Sequence, residues 1–84
     1  MATRAEVYSA IDSERAYQDA RWGGHRHEAE SWVLFIEHYA HLARVKASTT
    51  DFTDAANLTA YLDDLRKIAT LAVAAMEQHG APLR

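Results

Sequence analysis

The chain has 84 residues, of which 49% are hydrophobic and 25% charged, so it is room for one small folded domain and too apolar for a disordered chain. The net charge of −3 argues against a general binder of nucleic acid polymers, and the absence of cysteine excludes a disulfide framework. No apolar run approaches the ~20 residues that span a bilayer, and the N-terminal residues do not read as an export signal, so no membrane partner and a cytoplasmic setting are expected.

Glycine occurs only at positions 23, 24 and 80, and proline only at 82. The segments between them favour helix, so the chain reads as an all-α, three-helix protomer. Helix one is expected to start after Thr3 as N-cap and to run to Arg21 or Trp22, where Gly23-Gly24 stops it. Val7, Ile11, Glu14, Gln18 and Arg21 share one face, apolar in its first half and polar in its second. Helix two is expected from near His27 to about Ala47, with Trp32, Phe35, Ile36, Tyr39, Leu42 and Ala43 as its apolar stripe. Residues 48–53 read as a loop in which Asp51 or Thr53 caps helix three.

Helix three is expected to end at His79, before Gly80 and Pro82, and to lie antiparallel to helix two. From Ile68 to Met76 it is apolar on every side except at Thr70, so it needs cover on every side. Ala69, Ala72, Ala74 and Ala75 are small enough to let another helix approach closely. A domain of this length buries only about 60–65% of its unfolded surface, and its core alone is marginal. The expectation is therefore a homo-oligomer joined through the second half of helix three.

The polar end of helix one, ERAYQDARWG over residues 14–23, is the most unusual segment. Polar groups on a core-facing stripe either pair internally or line a pocket. Arg15 and Arg21 offer planar forks for phosphate, Gln18 can bond a base edge, and Trp22 can stack on a base. Pairing of Glu14 with an arginine, with Trp22 as a plug, accounts for the same residues without a ligand. On helix two, Glu37, His38 and His41 are neighbours at metal-sharing spacing, which makes them the candidate divalent-metal ligands. The other histidines fall in the loop after the glycine pair and at the end of helix three. No nucleophilic or phosphate-loop motif is present, so no catalytic residue is assigned.

The ER-x-YQD-x-x-WG segment, Trp32 with Ile36-Glu37, and a long alanine-rich helix ending EQHG together resemble small phage and prophage proteins of MazG-like character. The resemblance covers most of the chain. It implies a helical oligomer with a nucleotide pocket at helix or subunit boundaries and, in the family, magnesium-dependent pyrophosphohydrolysis. Where the family carries an EE-x-x-E cluster, this chain reads Glu37-His38-Tyr39-Ala40-His41. Near the family's second pair of acids it has Asp63 and Asp64, followed by Arg66 and Lys67. Magnesium favours hard oxygen ligands, so the departure implies binding without turnover and no resident cofactor.

By analogy with small oligomeric phage proteins, the leading expectation is a sponge that sequesters a nucleotide-derived immune signal. Arg15, Gln18, Arg21 and Trp22 are its candidate ligand contacts. One alternative is a divergent pyrophosphohydrolase using Glu37, His38 and His41 with manganese or zinc. Another is an interaction protein that inhibits a host factor.

Overall fold

The computed structural model describes every residue from Met1 to Arg84. It is all-helical, with α1 (Arg4–Trp22), α2 (Ser31–Thr49) and α3 (Ala55–His79). No helix is long and apolar enough to cross a membrane.

α1 begins and ends where its sequence signals lie. The Thr3 hydroxyl accepts the Glu6 N–H at 3.1 Å and donates to the Glu6 carboxylate, which satisfies one of the free donors of the first turn. At its other end a Cβ on Gly23 would fall 2.4 Å from the Asp19 carbonyl oxygen, so only glycine fits there. Gly24 then adopts φ +88°, which turns the chain away.

α2 starts at Ser31, four residues later than the sequence predicts. His27 is claimed by α3 instead. Its backbone N–H donates to Gln78 Oε1 at 3.1 Å, and its carbonyl oxygen lies 2.8 Å from His79 Nε2. Its ring meets Trp32 and Phe35 edge-on, with centroids 5.2 and 4.9 Å away. α2 also runs two residues past Ala47, where the Ser48 and Thr49 hydroxyls donate back to the Arg44 and Val45 carbonyls. The cap of α3 is Asp54, whose carboxylate accepts the Ala56 N–H at 2.8 Å. Asp51 is occupied in its own turn, accepting both the N–H and the hydroxyl of Thr53.

α3 is the spine. α1 and α2 each pack on it and do not pack on each other. The apolar stretch from Ile68 to Met76 is therefore covered largely within one chain. Thr70 and Ala74 are buried, the others are half-buried, and only Met76 is exposed. Other exposed apolar side chains include Val7 on α1, Val33, Leu34, Phe35 and Val45 on α2, and Leu58, Leu62 and Leu65 on α3.

The two flanking helices are held by different means. α2 contributes the buried Trp32 and Ala43, stacks Phe52 of the following loop on Tyr61 at 4.9 Å, and pairs Lys46 Nζ with Asp64 at 2.6 Å. The Asp64 side chain is only 5% exposed. α1 buries no residue, and its moorings are ionic. Glu14 accepts from Arg66 Nε at 2.9 Å, and Arg15 donates twice to Glu77. Adjacent residues of α1 thus hold α3 at two points about 16 Å apart along its axis.

Lys46→Ala leaves the Asp64 carboxylate buried and unpaired. It is expected to lower the unfolding free energy by about 1–3 kcal/mol, measured by denaturant titration. Replacing both partners, Lys46→Met with Asp64→Leu, is expected to restore most of that loss, because no orphaned charge remains.

Candidate functional site

Because α1 and α2 flank α3 without meeting, a cleft of about 730 Å³ opens between them, within the ~300–1,000 Å³ range of small-molecule sites. One wall is the polar end of α1, the opposite wall is the start of α2, and the floor is the last turns of α3. The loop of residues 23–27 closes one end. This loop is tied to α3 chiefly through the Gln78 side chain, whose amide donates to the His25 carbonyl at 2.9 Å and accepts the His27 N–H.

Aromatic rings face the cleft from both walls. Tyr17 and Trp22 come from α1, with an edge-to-face separation of 6.4 Å, and Trp22 remains 51% exposed. Trp32, Phe35 and Tyr39 come from α2, with Trp32 and Phe35 5.8 Å apart and edge-on. The Trp32 indole N–H is the one buried side-chain polar group with no hydrogen-bond partner.

Three of the four expected ligand contacts, Arg15, Gln18 and Trp22, line this cleft. The fourth, Arg21, is outside it, with its guanidinium 5.4 Å from the Trp22 ring centroid. Arg15 is already engaged. Its Nε and Nη2 serve Glu77, Nη2 also serves Asp19 at 2.9 Å, and Nη1 serves Gln18 Oε1 at 3.3 Å, which leaves a single Nη1 hydrogen. The Glu77 hydrogen bond is the main reason its guanidinium is held still more firmly protonated than usual. The Gln18 amide NH₂ has no protein acceptor and remains available to a ligand.

Glu37, His38 and His41 lie exposed on α2 and outside the cleft. The His38 ring packs edge-on against Tyr39 at 5.0 Å, and no group of three or more His, Asp or Glu side chains converges where an ion could be held.

Several lining residues were not singled out in the sequence. Tyr17 was hidden inside a segment read for its charges. His25, Arg26 and His27 sat in a loop with no periodicity to place them. Lys67, by contrast, is marked in the sequence together with Arg66 as able to reach a ligand held between helices, and it enters the cleft from α3, with its Nζ 3.2 Å from Asp63 and 5.5 Å from the Tyr39 ring centroid.

Asp63 anchors the basic pair beside the cleft, accepting from Arg66 and lying within ion-pair distance of Lys67. Burial pushes its carboxyl up, but the Lys67 hydrogen bond and the charges of Arg66 and Lys67 together outweigh this and hold it below the usual carboxylate range. A depressed native carboxyl stabilises the fold above its unfolded pKa of about 3.9, and that contribution is lost as pH falls through the native value. The unfolding midpoint in denaturant is therefore expected to drop as pH is lowered from about 5 to 2. Asp63→Asn should show a smaller drop over the same range. Asp51, held down by the Thr53 hydroxyl and N–H, adds a contribution of the same sign that this variant keeps.

Comparison with protein-family models, with curated proteins and with solved structures returned no match to this chain.

Proposed function

We propose that this chain is a binding protein that takes up a small nucleotide-type ligand in the cleft between α1 and α2 and sequesters it without hydrolysis. The observation that carries this reading is the gathering of five aromatic residues in the lining of one cleft, Tyr17 and Trp22 from α1 and Trp32, Phe35 and Tyr39 from α2. A planar base offers two π-faces to such rings, and stacking on one ring is worth about 1–3 kcal/mol. Trp22 is the natural stacking partner because half of its surface is free. The open amide of Gln18 supplies a donor for a base edge or ribose. Arg15 is a framework residue that fixes the wall on which Gln18 and Trp22 stand.

The resemblance to MazG-like phage proteins supports a nucleotide as the ligand, and the replacement of the family's carboxylates at residues 38 and 41 supports binding without turnover. An abundant binder of this kind lowers the free concentration of a signal by mass action alone. The proposed role is that of a phage-type sponge acting in the host cytoplasm.

The proposal includes the assembly. The order of partners, Lys67 with Tyr39, Asp64 with Lys46 and Tyr61 with Phe52, supports α2 and α3 running antiparallel. The exposed Val33, Leu34, Leu58, Leu62 and Leu65 are the surface through which copies join.

Equilibrium dialysis against nucleosides, nucleotides, cyclic dinucleotides and ADP-ribose derivatives tests the ligand. One of these classes should be retained and recovered unaltered after the protein is denatured. Trp22→Ala should weaken its binding by about tenfold or more. If every class stays free, or if the retained compound is recovered cleaved, the reading fails. Sedimentation at micromolar concentration should show a species larger than one chain, which Leu34→Glu with Leu62→Glu dissociates.

A further inference from the structure

The charges around the cleft are nearly all spent within the protein, and what remains unspent defines the ligand further. Its cationic lining side chains are Arg15, Arg26 and Lys67, and its carboxylates are Glu14, Asp19 and Glu77. Arg15 is neutralised by Glu77 and Asp19, Lys67 by Asp63, and Glu14 by Arg66. Arg26 alone among the three cations has no carboxylate within ion-pair distance. Its one hydrogen bond, from Nη2 to the Gln78 carbonyl, is long at 3.4 Å. That carbonyl belongs to the last turn of α3, the negative end of the helix dipole.

Resting on the cleft-binding reading above, we infer that each cleft holds one base and one phosphate group, with Arg26 as the residue that binds the phosphate. A single phosphate can take the Arg26 guanidinium from a weak carbonyl bond into a charge-assisted one. A second phosphate on the same base finds no unpaired arginine or lysine in the lining. It meets Asp19 and Glu77, whose charges are already committed to Arg15, and the carbonyl end of α3. A di- or triphosphate chain is therefore disfavoured. A nucleoside monophosphate, or a cyclic oligonucleotide with one phosphodiester per base, is accepted. The arginine that binds phosphate is thus on the loop, and Arg15 and Arg21 of α1 serve other ends.

The test is titration calorimetry of the full chain with the nucleoside, monophosphate and triphosphate of each common base, and with cyclic dinucleotides. For the base that binds, the monophosphate should exceed the nucleoside by about tenfold or more, and the triphosphate should bind no tighter than the monophosphate. Arg26→Gln should abolish the advantage of the monophosphate and Arg26→Lys should keep part of it. Arg44→Gln, on the exposed side of α2, should change nothing. Circular dichroism confirms that each variant is folded. A triphosphate that binds tightest, or a monophosphate advantage that survives Arg26→Gln, overturns the assignment while leaving the cleft reading intact. Binding of no compound overturns both.

Discussion

Everything about this molecule follows from two helices leaning on a third without touching each other. α3 supplies the only shared surface, so the gap between α1 and α2 is a necessary product of the packing. A compact bundle would have closed it with apolar side chains. α1 lacks them where they would be needed: past Ile11 its inward residues are Glu14, Arg15 and Gln18, and no residue of the helix is buried. It docks close against α3 and is pinned there by ion pairs to Arg66 and Glu77. The cleft is the space that such polar mooring leaves open.

The same mooring sets the electrostatics. Arginine has a planar fork suited to phosphate, and a carboxylate matches that fork equally well. At Arg15 the carboxylate is already present in Glu77. What the cleft leaves open is thus aromatic surface and the few polar groups left unpaired. These are the Gln18 amide and the Arg26 guanidinium with its single weak bond. The buried Trp32 indole N–H is a further unsatisfied donor in the cleft wall.

The helices were legible in the sequence because their signals are local. Thr3 and Glu6 make a cap at fixed spacing, and Gly23-Gly24 and Gly80 stop their helices. The start of α2 was not legible, because Glu28, Ala29 and Glu30 favour helix by composition. The competing claim on His27 comes from Gln78 and His79, more than fifty positions away. The cap of α3 was misplaced because Asp51, Thr53 and Asp54 are all capping residues, and Thr53 had already drawn Asp51 into a turn. The apolar stretch from Ile68 to Met76 reads in the sequence as a helix needing cover on every side, and hence as a subunit interface. Its flanking helices supply most of that cover, so the exposed apolar surface moved to α2 and to the first half of α3. Gln18 was found from its place on the core-facing stripe, and Arg15 and Trp22, seven apart, from the stripe beside it. Arg26 and Tyr17 lacked such a pattern, because their meaning depends on which carboxylates and rings surround them in space.

The Gln78 side chain has a mechanical meaning. With one amide it donates to the His25 carbonyl and accepts the His27 N–H, two backbone groups on alternate residues, much as a neighbouring strand would. The loop at the mouth of the cleft is thereby stitched to the final turn of α3, where helices fray most readily. One side chain thus fixes two backbone groups at once, so the position of the loop is tied to the integrity of a helix end.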